Sequence, residues 1–188
     1  MTPSGVETAL SGPERAGRVF LIGPMGSGKS TVGRALAARL GLDFLDSDKL
    51  IEKRTGVDIP YIFEKEGEAG FRHREASVIE EVSMLPRLVL ATGGGAILDA
   101  GTRQRLASRG TVVYLEATVE QQLRRTRGST HRPLLQTEDP RSRLEELMVV
   151  RAPLYQSLAD LTVRTSRRKV ACMVEDITTW LLANGKVS

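Results

Sequence analysis

Cysteine is almost missing from this chain of 188 residues: Cys172 stands alone, so no disulfide can form within it. A chain that does without that staple fits a reducing compartment, and a cytoplasmic location is expected. Aromatic residues are scarce as well, at 4% of the sequence. The basic stretches at 124–132 and 164–168 therefore lack interleaved rings for stacking unpaired bases. That argues against a nucleic-acid partner, despite a net charge of +4 and an isoelectric point near 9.5. Histidine occurs twice, as His73 and His131, too far apart in sequence to suggest a zinc site. No apolar run approaches the ~20 residues that cross a bilayer, so a soluble protein with no membrane partner is expected. Residues 1–17 carry Pro, Gly and Ser but no apolar centre like that of a secretory signal, and read as a flexible tail. The remainder, 18–185, has the size of a single domain and is expected to act as a monomer.

What the chain does have is alternation. Short apolar runs at 18–22, 43–45, 87–91, 112–115 and 161–164 take turns with helical patterns. The latter fall at 29–40, 49–55, 59–65, 68–84, 102–108, 119–126, 141–152 and 169–183. Such alternation needs crossover connections, and hence an α/β fold with a parallel sheet covered by helices on both faces. Ligands of such sheets bind beyond the carboxyl ends of the strands. Three segments that follow strands directly, 23–30, 46–48 and 93–95, are expected to meet there.

The first segment, Gly23-Pro24-Met25-Gly26-Ser27-Gly28-Lys29-Ser30, fits the phosphate-binding pattern G-x-x-x-x-G-K-[ST] between a buried strand and a helix. Glycines let successive backbone N–H groups turn inward around a polyphosphate, and the helix N-terminus adds partial positive charge. Gly26, Ser27, Gly28 and Thr31 belong to that cradle for ATP. Lys29 reaches the β- and γ-phosphates, and the Ser30 hydroxyl can ligate Mg²⁺. Such a site also needs an acid near its metal. The strand at 87–91 runs into Thr92-Gly93-Gly94-Gly95 instead of the usual aspartate, which leaves Asp46 as the best candidate. If 45–48 is extended, Asp46 and Asp48 face the cleft together and Ser47 points away. Asp48 would then orient or deprotonate a substrate hydroxyl. The competing reading is that one or both cap the helix beginning near Lys49.

Two arginines lie in apolar stripes. Arg72 shares a helical face with Ala69, Ala76, Ile79 and Val82, and Arg151 shares one with Leu144, Leu147 and Met148. A guanidinium on a core-facing side is costly unless paired. Together the two form a clamp suited to a carboxylate, or else each makes a structural ion pair with a buried acid. Gly93, Gly94 and Gly95 either bring backbone N–H groups close to a ligand or make a plain tight turn. The basic segment 126–133 reads as a lid that would bring an arginine to the transferring phosphoryl group, or as a solvated loop.

In combination, GPMGSGKSTVGRALA, FLDSDKLIE, the Ile62-Phe63…Gly67-Glu68…Phe71-Arg72 segment, GGGA, RPLL and RAPLY resemble the shikimate kinase family over about 18–169. The resemblance implies a five-stranded parallel sheet in the order 2-3-1-4-5, substrate-binding helices at about 47–84 and a lid at about 126–140. It implies transfer of a phosphoryl group from ATP to the 3-hydroxyl of shikimate, in the route to chorismate and the aromatic amino acids. It further implies that Ser30 and Asp46 serve Mg²⁺, that Asp48 contacts the substrate hydroxyls, and that Arg72, Arg151 and the Gly94 backbone hold the shikimate carboxylate. Arg132 in RPLL would be the lid arginine, and Arg125 and Arg168 would lie near the adenine. The family often has a proline shortly after the adenine-side loop, where this chain reads Arg167-Arg168-Lys169-Val170.

Overall fold

The computed structural model describes residues 15–127, 133–135, 137–166 and 168–187. Its strands are β1 (Arg18–Ile22), β2 (Asp43–Asp46), β3 (Leu88–Ala91), β4 (Thr111–Glu116) and β5 (Leu161–Arg164). They form one parallel sheet in the order β2-β3-β1-β4-β5. The helices are α1 (Lys29–Leu40), α2 (Ser47–Thr55), α3 (Ile59–Val82), α4 (Ala100–Arg109), α5 (Val119–Thr126), α6 (Pro140–Leu158) and α7 (Val170–Ala183). Short 3-10 turns lie at Ala96–Leu98 and Pro133–Leu135.

Successive strand residues point to opposite faces, and both faces are apolar, which is why β1, β3 and β4 read as unbroken hydrophobic runs. Phe20, Ile22, Leu88, Leu90, Val112 and Tyr114 pack beneath α2, α3, α4 and α6. Val19, Leu21, Val89, Val113, Leu115 and Val163 pack against α1 and α7. Three layers result, with the carboxyl ends of the central strands opening onto one rim.

The helices expected at 59–65 and 68–84 are both present within α3, separated by a break at Gly67 with φ 70°. Two other boundaries differ from expectation. Helix α6 does not stop at 152 but runs through Pro153 to Leu158. Proline removes one helical donor and crowds the carbonyl of Val149. Val149 is on the exposed side, where water can take that carbonyl, while Leu144, Arg151 and Tyr155 are buried on the other. Finally, residues 15–17 are not part of a loose tail. Arg15 pairs with Asp160 at 3.0 Å, and the Gly17 carbonyl accepts from the Leu88 N–H at 2.8 Å.

Candidate active site

A cavity of about 500 Å³ opens at the carboxyl ends of β1, β2 and β3. Its phosphate side is the turn from β1 into α1. Gly28, at φ 95°, takes the N-cap position of α1 with no side-chain cap, and the first turn of that helix holds no acid. Its N–H groups are thus left to an anion, as the sequence pattern requires. Lys29 lies buried against the loop, donating to the carbonyls of Gly23 at 2.7 Å and Pro24 at 2.8 Å. Gly26, Gly28, Ser30 and Thr31 line the cavity with Lys29, whereas Ser27 is buried beside it and does not line the cavity.

Asp46 caps α2 and also reaches the phosphate end. One carboxylate oxygen caps α2, accepting from the N–H groups of Asp48 at 3.1 Å and Lys49 at 3.2 Å. The other accepts from the Ser30 hydroxyl. Asp46 and Ser30 are therefore joined at the phosphate end, a carboxylate and a hydroxyl that leave room for further oxygen ligands. Among the described residues no cluster of three or more His, Cys, Asp or Glu could hold a metal by itself. A cation here would need water or phosphate oxygens as well, which suits Mg²⁺.

The alternation argument for Asp46 and Asp48 is corrected. The strand ends at Asp46 and Ser47 already begins α2, so Asp48 reaches the cavity from the first helical turn. Ser47 stays out of the cavity as expected, but for the reason that its buried hydroxyl accepts from the Gly93 N–H at 3.0 Å. Asp48 keeps some surface in the cavity, but its Oδ1 is buried without a hydrogen-bond partner. Burial, then the negative charges of Glu75 and Asp46, push its pKa from 3.8 up to about 7, against the opposing pull of Lys29 and Arg72. A carboxyl titrating there is matched to proton transfer near neutral pH.

The far end is built by α3 and α6. The buried stripe of α3 runs through Phe71, Glu75, Val78, Ile79 and Val82, with Arg72 on its flank and Ala69 exposed. Arg72 donates to Glu75 at 2.6 Å and to Glu68 at 3.0 Å, so the structural ion pair is real. Yet the same arginine lines the cavity, as does Arg151, which is only 3% exposed and whose Nε has no partner. Burial lowers the Arg151 pKa, and the positive charge of Arg72 lowers it further. Two guanidinium groups lining the same end of a cavity suit an anionic ligand group.

Between the two ends lies Gly93-Gly94-Gly95, where side chains are excluded by their surroundings. A Cβ on Gly93 would strike Glu75 and Asp48, and one on Gly95 would strike the guanidinium of Arg72. Phe63 and Phe71, with ring centroids 5.0 Å apart, and Ile59 add an apolar wall.

Arg125 lines the nucleotide side, donating to the Gly26 carbonyl at 2.9 Å and the Thr165 carbonyl at 3.1 Å. Arg168 is not brought into the cavity: it pairs with Asp176 at 2.7 Å where the chain enters α7. Arg132 lies outside the described residues, as does most of 128–136, though Pro133 and Leu134 line the cavity. Glu75 and Ser47 were not anticipated. Glu75 is one of several acids on α3, and no local signal sets it apart.

The family model for shikimate kinase matches residues 25–182. The chain is 56% identical over 170 residues to the shikimate kinase of Thioalkalivibrio sulfidiphilus, covering 90% of each chain. It is 57% identical over 159 residues to that of Methylococcus capsulatus, covering 85% of this chain and 89% of the relative. Among solved structures, the shikimate kinase from Acinetobacter baumannii in complex with shikimate superposes with a TM-score of 0.88 at 50% identity. That match covers 91% of this chain and 96% of the other.

Proposed function

This chain belongs to the shikimate kinase family, and we propose that it transfers the γ-phosphoryl group of ATP to the 3-hydroxyl of shikimate. The observation that carries the reading is one cavity with an uncapped phosphate loop at one end and two mutually repelling arginines at the other, with Asp48 between them. The ring carboxylate is held by Arg72 and Arg151, charge-assisted partners in a desolvated place. The apolar wall of Ile59, Phe63 and Phe71 packs the ring. Held so, one ring hydroxyl faces the phosphate end, and positioning supplies much of the rate.

In the transfer itself, the hydroxyl oxygen forms a bond to the γ-phosphorus as the bond from that phosphorus to the β-bridging oxygen breaks, and ADP leaves. Asp48 accepts the hydroxyl proton. Lys29 and the N–H groups of α1 offset charge gathering on the phosphoryl oxygens. To act, Lys29 exchanges the Gly23 and Pro24 carbonyls for phosphate oxygens. Ser30 and Asp46 would hold Mg²⁺, which neutralises phosphate charge when bound. Arg125 keeps the loop and the base side together. The roles given to Arg132 at the phosphates and Arg168 near the adenine rest on the family resemblance. We take the enzyme to act as a monomer, and its single cysteine supports a cytoplasmic location.

The test is ADP release from Mg·ATP with shikimate, against a no-acceptor control and gluconate as a second hydroxylated acid. Shikimate-dependent release at a rate far above both is expected. Equal release in all three overturns the reading.

A further inference from the structure

The Gly93-Gly94-Gly95 turn carries no side chains of its own, and glycine backbones have wide conformational freedom. Apart from the Ala96 N–H bond to the Gly93 carbonyl at 3.1 Å, its shape is imposed from outside. Ser47 takes the Gly93 N–H from α2. On the opposite side the Tyr155 hydroxyl, from α6, donates to the Gly94 carbonyl. Tyr155 is fully buried, and its ring stacks on Tyr114 with centroids 5.0 Å apart. It does not line the cavity.

Two consequences meet at that hydroxyl. The Gly94 carbonyl shares a rigid peptide plane with the Gly95 nitrogen, and the Arg72 guanidinium lies directly on Gly95, where even a methyl group would strike it. Fixing the Gly94 carbonyl therefore fixes the floor under Arg72. Arg151 sits one helical turn before Tyr155. The phenol and that guanidinium are close enough for each to favour the other's charged form, against burial, which dominates both. A single hydroxyl thus holds the glycine turn under Arg72, which Glu75 and Glu68 hold from its own helix, and lies close to Arg151 on another helix.

We propose that Tyr155 is a positioning residue that sets the separation of Arg72 and Arg151 through the Gly94–Gly95 peptide, so that the carboxylate clamp is formed before substrate arrives. This rests on the shikimate kinase reading above. Without the hydroxyl the glycine turn relaxes, and the two guanidinium groups lose their matched spacing. Catalysis at the phosphate end is left in place.

The experiment compares wild type with Tyr155→Phe using shikimate and its methyl ester, which lacks the carboxylate charge. For Tyr155→Phe the KM for shikimate should rise about 5- to 10-fold, on the scale of one hydrogen bond. KM for ATP should stay constant and kcat should stay within about threefold. With the methyl ester, kcat/KM of variant and wild type should agree within about twofold. Tyr114→Phe, which alters the same aromatic stack without touching the Gly94 carbonyl, should leave every constant unchanged. Equal losses with shikimate and the ester, or a parallel rise in KM for ATP, would mean a general structural role and overturn the proposal. An active wild type with an unaffected Tyr155→Phe overturns it as well. A wild type that phosphorylates neither acceptor removes the functional reading, and this inference falls with it. Should the variant melt below assay temperature, equilibrium titration of shikimate and its ester in the cold gives the same comparison.

Discussion

Replacing Asp48 by asparagine should stabilise the ligand-free protein while removing its activity, and the stabilisation should grow with pH. The folded pKa of about 7 stands above the 3.8 of an unperturbed aspartate. A carboxyl raised in this way contributes stability that is full below the unfolded pKa and is lost as pH rises through the folded one. Each tenfold in the proton equilibrium is worth about 1.4 kcal/mol. Linkage then puts the stability lost through Asp48, relative to acid conditions where both states are protonated, at about 1.5 kcal/mol at pH 5 and about 4 kcal/mol at pH 8. Residual exposure to the cavity makes the latter figure a ceiling. Asparagine has nearly the same shape and no charge at either pH, so any fixed penalty of the amide cancels between the two conditions.

The assay is thermal unfolding of both proteins in nucleotide-free buffer with a chelator, at steps from pH 5 to pH 8. The difference of about 2.5 kcal/mol between those ends should widen the gap in Tm by roughly 5–10 °C for a chain of this size. Turnover at pH 8 should fall by roughly 10²- to 10⁴-fold, the usual cost of losing a general base, with a smaller gap at pH 5 where the wild-type carboxyl is itself protonated. In the wild type, kcat/KM should rise through the neutral range as Asp48 ionises. A Tm gap that stays flat from pH 5 to pH 8 would refute the claim that burial and the Glu75 charge hold this carboxyl up. A fully active Asp48→Asn would refute its role in the reaction.

Three other changes probe the two ends of the cavity separately. Lys29→Ala should reduce kcat by roughly 10²-fold or more with any acceptor, because it removes a positive charge at the transferring group; steady-state rates within about threefold of wild type would reject that role. Arg72→Ala should raise the KM for shikimate by roughly 10²-fold while sparing ATP, as expected for a lost charge-assisted pair, and the reverse pattern in equilibrium titration would take Arg72 out of the clamp. Gly95→Ala should mimic it more weakly, at roughly 10-fold. Gly95 has φ −98°, which alanine accepts, so the change acts only by pushing the Arg72 guanidinium aside; an unchanged KM for shikimate would show that the arginine moves freely.

Much of the site was legible because its chemistry is local. The phosphate loop needs a strand, two glycines at fixed spacing, a lysine and a helix in immediate succession, and 18–31 supplies them in order. The strands at 18–22 and 161–164 end where their apolar runs end. Asp46 and Asp48 were the right residues for the wrong local reason, because a helix that starts at Ser47 also turns Asp48 into the cavity. Glu75 was illegible for a different cause. On α3 it stands among Glu68, His73, Arg74, Glu80 and Glu81, and nothing local separates the one buried acid from its solvated neighbours. Its burial depends on Arg72 and on the absence of a side chain at Gly93, which lies across the sheet rim. Tyr155 was hidden by Pro153, which read as the end of a helix that in fact carries on beneath the glycine turn.

The meeting of Arg72 and Arg151 shows where local pattern ends and topology begins. Periodicity shows that each arginine lies beside an apolar stripe, but not that both stripes cover the same face of the sheet. Strand order and handedness together decide that. Parallel crossovers are right-handed, so the direction of travel across the sheet chooses the face on which the intervening helix lies. In the order β2-β3-β1-β4-β5, the step from β1 to β2 goes one way and puts α1 on the Val19 face. Every later step, from β2 to β3, β3 to β4 and β4 to β5, goes the other way. Helices α2, α3, α4 and α6 must therefore share the Phe20 face, as they do. The reversal falls between β1 and β3, and the cavity opens there. With any order in which the last step turned back, Arg151 would face the opposite side of the sheet from Arg72, and no carboxylate could bridge them.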